Sequence, residues 1–455
     1  MPEWKEVLDE AGRYAVRYLE GLPARPVGSN ATLESLRAAL DLPLPAQGTD
    51  PREVIAELAR HADPGVVASS SGRFFGFVIG GATPAALAAD WLTSVWDQNA
   101  GLYVLGPAAA VVEDVAARWL ATLLGLPAGV SAGFVTGAQM ANLTGLAIGL
   151  GSVLGRAGWN VAADGLWGAP RVRVLAGQGR HGTIDRALRF LGAGTGSIVE
   201  VGMDDQGRMR PAELRTALAA GSGPAIVCAQ AGNVNSGAFD PVGEICDLAH
   251  ADGAWVHVDG AFGLWAAASP RLRHLVAGVE RADSWATDAH KWLNVPYDSG
   301  LVFCADPVAH RTAMGTRAGY LIHGAEGERD ALDYGPEHSR RARGFAVYAA
   351  IRALGSDGVA DLVERCCDLA ARFAERLTAS GRATILGEVV LNQVLVRFAD
   401  DHVTRSVIEK VQREGTCWMS GTTWRGQAAM RISVSNWSTT PQDVDRSVAA
   451  ILRCL

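Results

Sequence analysis

From about residue 108 to residue 306 the sequence alternates between helical segments and short apolar runs rich in β-branched residues. Short strands separated by helices are typical of a mostly parallel sheet that is buried on both faces. We therefore predict a mostly parallel α/β sheet domain, with helices near 108–124, 138–152 and 183–192. Its predicted strands are the runs GFVTG, RVRVLAG, SIVEVG, PAIVCAQAG, WVHVDGAFG, SWATDA and GLVFCAD.

The segments on either side of this alternation have different patterns. Residues 3–21 carry apolar side chains at helical spacing, and the chain up to about residue 70 mixes Pro, Gly, Ser and Asp with short helical runs. Past residue 335 a helical region at 339–380 precedes the strand-like runs ATILGEVVLNQVLVRF and AMRISVSN. We predict three parts: an N-terminal helical arm over 1–85, a large α/β domain over 86–335 and a small α+β domain over 336–455.

Composition argues against several classes of function. The 455 residues carry a net charge of −7 without a basic run, so we expect neither a nucleic-acid partner nor an anionic membrane surface. The charged, amphipathic N-terminus is not typical of a secretory signal, and the most apolar windows are too short or too rich in glycine to span a bilayer. The seven cysteines form no C-x-x-C pair, which fits a reducing cytosol and predicts neither a disulfide framework nor a metal site.

Lysine is rare in this chain, which makes the lysine in SWATDAHKWLN (284–294) informative. The chain has 41 Lys plus Arg, and only three of these are lysines: Lys5, Lys291 and Lys410. An arginine cannot lose its proton in a protein, whereas a lysine amine can, and only the free amine is a nucleophile. A lysine in this mostly uncharged stretch therefore suggests covalent chemistry at Lys291.

Three further features accompany this lysine. Asp259 ends the apolar strand WVHVDGAFG, at the edge where open α/β sheets bind ligands. The stretch VTGAQMANL (135–143) predicts a strand, a turn and a helix whose first amides, with Thr136 and Gln139, can hold a phosphate. His181 follows the strand RVRVLAG. Each feature has an ordinary structural alternative: a capping aspartate, a turn without a ligand and a structural histidine.

Taken together, these groups match the requirements of pyridoxal 5'-phosphate (PLP), which needs an amine, an acid for its ring nitrogen, a flat aromatic residue and an anion-binding loop. The sequence resembles the group II PLP-dependent amino-acid decarboxylases, the family of aromatic-amino-acid and glutamate decarboxylases, over about residues 65–440. HVDGAFG is similar to the family's H-V-D-A-A-x-G, and DAHKWLN is similar to its N/D-x-H-K-W-L. GNVNSGAFDP and SRRARGFAVYAAIRALG resemble two further family segments in the same order.

The resemblance implies roles for individual residues. Lys291 would form the Schiff base, Asp259 would pair with the ring nitrogen, and His181 would stack on the cofactor and take part in protonation. The implied cofactor-binding residues are Thr136, Gly137, Ala138, Gln139, His181, Asn233, Asp259, Ala261, Ser284, Asp288, His290 and Lys291.

The resemblance also implies a fold and an assembly. The expected fold is the type I fold of PLP-dependent transferases, with a seven-stranded, mostly parallel sheet and a small C-terminal α+β domain. Family members are homodimers whose active sites lie at the subunit interface. We therefore expect a cytoplasmic homodimer with shared active sites and an amino-acid substrate.

Tyr320 bears on the type of reaction. The family carries a catalytic tyrosine on a mobile loop after the lysine, in a Tyr-Leu pair, and Tyr320–Leu321 occurs at a similar spacing. Residues 323–335 are polar and contain glycine, as a flexible lid requires. Relatives that form aldehydes typically have phenylalanine here, so Tyr320 favours decarboxylation, with its hydroxyl protonating the carbon that has lost CO2. The structural alternative is a tyrosine on a surface loop.

Departures from the family pattern affect the substrate more than the cofactor. Ala138, Gln139 and Met140 replace residues of the family's phosphate loop, and Asp288 places an acid beside the expected phosphate, where many relatives have Asn. The candidate substrate-side residues are Phe77, Gly80, Asn99 and Arg431.

Three functions remain open from the sequence. The first is decarboxylation of an L-amino acid to a primary amine. The second is another PLP reaction on the same scaffold, such as oxidative deamination to an aldehyde, transamination or aldol cleavage. The third is a PLP-binding dimer without turnover.

Overall fold

The N-terminal arm is helical. The structure is a computed structural model that describes residues 4–325 and 327–455. The arm consists of α1 (Trp4–Gly21), α2 (Leu33–Leu40) and α3 (Pro51–Ala62). Within the described chain none of these three helices contains a buried residue. The arm therefore presents apolar side chains at its surface, among them Trp4, Leu8, Leu44 and Leu58.

The large domain begins with α4 (Pro84–Trp96) and α5 (Pro107–Leu123), which both start at a proline, whose fixed φ suits a first helical turn. Strands and helices then alternate as the sequence predicts. The remaining elements are β1 (Ser131–Val135), α6 (Ala138–Arg156), α7 (Val161–Asp164), β2 (Arg173–Gly177), α8 (Gly182–Phe190), β3 (Ile198–Val201), α9 (Pro211–Ala219), β4 (Ala225–Gln230), α10 (Val242–Ala251), β5 (Trp255–Asp259), β6 (Ser284–Asp288), β7 (Gly300–Cys304) and α11 (Pro307–Met314).

The seven predicted strands form one sheet in the order β1-β7-β6-β5-β4-β2-β3. Only β7 runs against its two neighbours, so the prediction of a mostly parallel sheet is confirmed. Apolar clusters cover both faces, which explains why the strands read as continuous apolar runs. The carboxyl ends of β1, β6, β5 and β4 consequently lie along the same edge of the sheet.

The C-terminal part contains a second, smaller sheet with helices. It consists of α12 (Gly344–Ala379), β8 (Thr384–Ile385), β9 (Gln393–Arg397), α13 (Asp401–Glu414), β10 (Ser420–Trp424), β11 (Gln427–Ser433) and α14 (Pro441–Arg453). Its strands form an antiparallel sheet in the order β10-β11-β9-β8. The helical region predicted at 339–380 starts later and bends at Gly355, whose φ of 66° is a conformation that glycine adopts without strain.

Within residues 4–325 and 327–455, no helix has the length and apolarity needed to cross a membrane. The same residues contain no group of three or more His, Cys, Asp or Glu side chains placed to hold a metal ion.

His310 of α11 is a buried neutral base whose protonation should limit stability in acid. Its Nδ1 lies 2.8 Å from Ser131 Oγ and its Nε2 lies 3.2 Å from Tyr334 O, so the ring is hydrogen-bonded on both sides. Burial lowers the pKa of His310 from its ordinary 6.5 to about 3. As the pH falls below 6.5, the unfolded chain takes up a proton that the folded protein excludes, so stability falls with pH.

We expect His310→Gln to reduce the loss of unfolding free energy as the pH falls below 6.5. A histidine of this kind costs about 1.4 kcal/mol of unfolding free energy at pH 5.5 and almost nothing at pH 7.5. Urea unfolding at the two pH values should show the gap between wild type and variant changing by that amount, in favour of the variant at pH 5.5. His402→Gln, a substitution at an exposed histidine, serves as the control and should leave the pH dependence unchanged. Parallel pH dependences for wild type and His310→Gln would contradict the assignment.

Candidate active site

The predicted lysine and the predicted ring-nitrogen acid follow neighbouring strands. In the sheet Val135 pairs with Gly300, and Gly300 pairs with Asp288, so the ends of β1 and β6 meet at the start of β7. The backbone amide of Asp288 donates to Ala261 O at 3.0 Å, which joins the segments after β5 and β6. The sheet thus brings the lysine turn, the acid and the start of α6 to one edge.

Lys291 lies in the turn after β6 and is held by an ion pair. Its Nζ donates to Asp288 Oδ2 at 2.6 Å, and only 19% of the lysine side chain is exposed. The other carboxylate oxygen, Asp288 Oδ1, accepts from the backbone amide of Ala138 at 2.6 Å, at the first residue of α6. Asp288, the residue that the sequence left unexplained, is therefore the counter-ion of Lys291 in this structure.

His290 is packed beside this pair. Its Nδ1 accepts from the backbone amide of Ser299 at 3.1 Å, and its ring stacks on Tyr297 with a centroid distance of 4.1 Å. Burial lowers the pKa of His290, so the ring is neutral near pH 7. Its Nε2 then carries the proton and points at Asp288 Oδ1, 3.4 Å away.

Asp259 is a buried carboxylate with a fixed orientation. Its Oδ1 accepts from the backbone amide of Ala261 at 3.2 Å, and its Oδ2 accepts from Asn142 Nδ2 at 3.1 Å. The side chain is nearly inaccessible to solvent. A carboxylate held by two donors is suited to pair with a third donor, such as a protonated ring nitrogen.

His181 caps the start of α8. Its Nδ1 accepts from the backbone amide of Thr183 at 3.3 Å and lies 3.0 Å from Thr183 Oγ1. Because Nδ1 is an acceptor, the neutral ring carries its proton on Nε2. The residue is exposed, so a bound cofactor could cover it.

Asn233 organises the loop after β4. Its Oδ1 accepts from the backbone amides of Asn235 and Ser236, and its Nδ2 donates to Gln230 Oε1 at 3.1 Å. The same Nδ2 lies 3.4 Å from Gly179 O, two residues before the predicted stacking histidine. Asn233 therefore connects the strand end to the loop that carries that histidine.

The turn before α6 is packed closely against β7 and His290, and the first amide of α6, that of Ala138, donates to Asp288 Oδ1. A β-carbon on Gly300 would overlap the backbone of Gly137, and one on Gly137 would lie 3.1 Å from His290 Cε1. The first amides of a helix have no partner within the helix, and this turn has Thr136 beside them. Gln139 Nε2 donates to Thr183 O at 3.3 Å, so this side chain also braces α8. Turn, amine, acid and exposed ring together fit PLP.

Ser284 does not belong to this edge. It starts β6, four residues before Asp288, which at roughly 3.3 Å per residue places it about 13 Å away along the strand. Its hydroxyl lies 2.8 Å from His257 Nδ1 and accepts from Trp255 Nε1 at 2.9 Å. The prediction that Ser284 contacts the cofactor is therefore corrected, because the strand carries its side chain away from the site.

Gly80 borders the lysine turn from the arm side. A β-carbon on Gly80 would overlap the carbonyl oxygen of Lys291, so no side chain fits there. Phe77 is half exposed and packs against Trp418, with ring centroids 5.3 Å apart. Of the candidate substrate residues, Gly80 therefore touches the backbone of the lysine.

Tyr320 and Asn99 border one cavity, and Lys291 is not among the described residues that line it. Tyr320 is 78% exposed and borders a cavity of about 300 Å³ with Asn99, Leu105 and Ser339. Asn99 Oδ1 accepts from the amides of Gly101 and Arg340 at 3.1 and 3.2 Å, so its side chain shapes that segment. The catalytic role of Tyr320 stays a prediction.

Arg431 is a buried cation without a counter-ion. Only 9% of the residue is exposed, and among the described residues its guanidinium makes no hydrogen bond or ion pair. Burial lowers the pKa of Arg431, which indicates that the charge is poorly compensated. The neighbouring strand places Thr422 on the same sheet face, and Thr422 Oγ1 bonds Asn235 Oδ1 at 2.9 Å. The face that carries Arg431 thus abuts the loop that starts at Asn233.

Several residues of the site gave no sequence signal that we used. Asn142 is buried in α6, and His257 lies two residues before Asp259 on β5. Position i−2 on a strand points to the same face, so His257 could have been placed near the acid. Asn294, at the end of the quoted lysine stretch, bonds both the arm and the C-terminal part.

The fold and the site define a PLP-dependent enzyme of the type I fold. The sequence model described as the pyridoxal-dependent decarboxylase conserved domain matches residues 34–399, and the chain belongs to this family. Relatives include an L-2,4-diaminobutyrate decarboxylase of Rhizobium meliloti (strain 1021), 29% identical over 93% of this chain and 86% of the relative. Another is a 4-hydroxyphenylacetaldehyde synthase of Rhodiola rosea, 26% identical over 90% and 86%. The crystal structure of Oryza sativa TDC with PLP and tryptamine has a TM-score of 0.92, with 25% identity and coverage of 99% and 97%.

Gly80→Ala should displace the lysine turn. The added methyl group would overlap the carbonyl oxygen of Lys291, and overpacking of this kind costs about 1–3 kcal/mol of unfolding free energy. We expect a lower urea midpoint and weaker retention of PLP through dialysis. Gly151→Ala in α6 is the control, because a β-carbon there meets no atom within 4 Å. The close approach would be refuted by a Gly80→Ala protein with wild-type stability and cofactor content.

Proposed function

We propose that this chain decarboxylates an L-amino acid to a primary amine and CO2. The observation that carries the proposal is the placement of Lys291 and Asp259 at the ends of adjacent strands. Lys291 forms an ion pair with Asp288, and Asp259 is a buried carboxylate held by Asn142. Membership of the pyridoxal-dependent decarboxylase family supports the same reaction. The differing substrates in the relatives' names leave the amino acid open.

The residues present would hold PLP in a defined way. When bound, PLP supplies an electron sink for the electrons left behind as the carboxylate departs. Lys291 would hold its aldehyde carbon covalently, and Asp259 would keep its ring nitrogen protonated. The turn of Thr136 and Gly137 would receive its phosphate, with His290 beside it.

Two side chains are proposed to move the proton at the reacting carbon. His181 has its Nε2 proton free, because Nδ1 is used by the α8 cap. Tyr320 would approach from a loop, and its exposure in one chain fits a residue supplied to a partner's site. A hydroxyl or an imidazole that closes over the cofactor can protonate the carbon where CO2 has left.

Arg431 is proposed to face a negatively charged group of the substrate. Its support is the buried, unpaired guanidinium on a sheet face that abuts the loop of Asn233. A tight bidentate clamp on the α-carboxylate would oppose loss of CO2, because that group must leave a stabilising cation. Arg431 would therefore contact the α-carboxylate without a bidentate clamp, or it would contact a second carboxylate of the substrate.

The second candidate function is aldehyde formation on the same scaffold. It is favoured by the relative named 4-hydroxyphenylacetaldehyde synthase. Transamination and aldol cleavage stay as further alternatives. A PLP-binding dimer without turnover is less favoured, because Tyr320 and His181 are both present.

We also propose a homodimer with shared active sites. The support is the helices α1–α3, none of which contains a buried residue within one chain, because exposed apolar surface marks an interface. Its partner would be a second copy of the chain. A reducing, cytosolic setting is proposed as well, supported by seven free cysteines that are all buried.

The first test combines product analysis with covalent trapping. With PLP bound, wild type should release CO2 and amine in equal amounts from at least one L-amino acid of a full panel. Borohydride should fix the cofactor to Lys291 alone, as peptide mass spectrometry would show among only three lysines. Lys291→Ala should lose both activity and label, whereas Lys410→Ala should keep both. A label on Lys410, or CO2 release by Lys291→Ala, would refute the assignment.

Tyr320→Phe tests the type of reaction. Without the hydroxyl the reacting carbon is not protonated promptly, so part of the flux should divert, by oxidation with dissolved O2, to aldehyde, CO2, ammonia and hydrogen peroxide. We expect amine formation to fall at least about tenfold. Product ratios measured with and without catalase would show the diversion, and Tyr334→Phe is the control for loss of a nearby tyrosine hydroxyl. An unchanged amine yield in Tyr320→Phe would exclude Tyr320 as the proton donor.

A further inference from the structure

A chain of buried hydrogen bonds runs beneath the sheet edge toward Asp259. Trp255 Nε1 donates to Ser284 Oγ at 2.9 Å, and Ser284 Oγ lies 2.8 Å from His257 Nδ1. His257 Nε2 lies 2.9 Å from Asn142 Oδ1. All four side chains are almost completely buried, and none of them was assigned a role by the mechanism above.

The side chain of Asn142 divides this chain into two branches. Its Nδ2 donates one hydrogen bond to Asp259 Oδ2 at 3.1 Å. Its second N–H donates to Thr183 Oγ1 at 3.0 Å, and Thr183 Oγ1 lies 3.0 Å from His181 Nδ1. A single amide group therefore contacts the ring-nitrogen acid and, through one hydroxyl, the stacking histidine.

The direction of each hydrogen bond follows from the donors and acceptors available. An ionised carboxylate only accepts, so Asn142 must turn its Nδ2 to Asp259 and its Oδ1 to His257. His257 must then carry its proton on Nε2, which leaves Nδ1 to accept from the Ser284 hydroxyl. Burial lowers the pKa of His257 to about 3, so the ring is neutral, as this pattern requires.

Helix α6 is shaped to receive these rings. A β-carbon on Gly145 would overlap the imidazole of His257, and one on Gly149 would lie 3.0 Å from Trp255 Cδ1. The two glycines are four residues apart, so they lie on one face of the helix. The helix that carries Asn142 thus leaves space for the side chains that orient it.

We propose that Asn142, fixed by neutral His257, is the positioning residue that holds Asp259 toward the cofactor ring nitrogen. The proposal rests on the proposed function only in assuming that PLP binds with its ring nitrogen at Asp259. Without the Asn142 amide, Asp259 keeps only the Ala261 backbone donor and can rotate about its side-chain bonds. A rotated carboxylate would hold the ring-nitrogen proton less well.

The test uses the full chain loaded with PLP that is ¹⁵N-labelled at its ring nitrogen, measured by NMR without substrate at one pH near neutrality. Wild type should give the signal of a protonated ring. Asn142→Leu should move that signal toward the unprotonated position and lower kcat about tenfold with little change in KM. Thr183→Val is the matched control, because it removes the other acceptor of Asn142 while leaving the bond to Asp259, and its ring signal should be unchanged.

A second pair of variants tests the role of His257. His257→Leu should share the direction of the Asn142→Leu shift, and His257→Gln, which can still donate to Asn142 Oδ1, should restore the wild-type signal. Combining His257→Leu with Asn142→Leu should add nothing to the shift, because both act through one amide. If Asn142→Leu loses the cofactor, this pair decides the question alone.

Two outcomes would overturn the proposal. One is an unchanged ring signal and kcat in Asn142→Leu with only a lower urea midpoint, which would make Asn142 a packing residue. The other is a Thr183→Val shift equal to that of Asn142→Leu. The ring signal is measured without substrate, so the proposal for Asn142 can be confirmed even when no amino acid is decarboxylated. Conversely, CO2 release by wild type supports the proposed function even when Asn142→Leu leaves the ring signal unchanged.

Discussion

The buried side-chain amide of Asn294 joins the three parts of the chain at the lysine turn. Its Oδ1 accepts from the amides of Gly81 and Trp437 at 2.7 and 3.0 Å, and its Nδ2 donates to Ser435 O at 3.0 Å. A buried amide is costly unless its donors and acceptors are satisfied, so the arm segment, the turn and the C-terminal part must assemble together. Lys291 lies three residues earlier in the same turn, and its backbone position depends on all three parts.

Arginine and lysine do different work in this molecule. Arg340 forms a buried ion pair with Glu113 at 2.8 Å and also donates to Phe134 O at 2.8 Å, which ties the start of the C-terminal part to α5 and β1. A planar guanidinium with several donors suits such a junction. Lys291 instead has a single point charge and one carboxylate partner, Asp288. The residue type that can lose its proton is thus found at the proposed nucleophile, and the fixed cation is found at a structural junction.

The sequence predicted the features that depend on local pattern. Each strand of the large sheet is an apolar run, and Lys291 and Asp259 follow such runs directly, so their common edge could be inferred from strand direction alone. The position of Ser284 could not be inferred from its nearness to Lys291 in sequence. An extended strand places residues that are four positions apart far from each other along the strand axis. The contact between Gly80 and Lys291 joins segments more than 200 positions apart and depends on the absence of a side chain. Asn142 and His257 are likewise linked only through the packing of α6 on β5.

The two sides of the site are built under different constraints. On the cofactor side, the residues lie at strand and helix ends within one domain, and a buried network fixes the carboxylate of Asp259. On the proposed substrate side, Gly80 comes from the arm boundary, Arg431 from β11 and Tyr320 from a loop. Within residues 4–325 and 327–455, the side chains of Arg431 and Tyr320 make no hydrogen bond. Relatives at 26–29% identity have names with different substrates and reactions, which fits this division. A change of amino acid is therefore best accommodated by Arg431 and Tyr320, because Gly80 and the bonds of Asn294 tie the backbone of the arm and of the C-terminal part to the lysine turn.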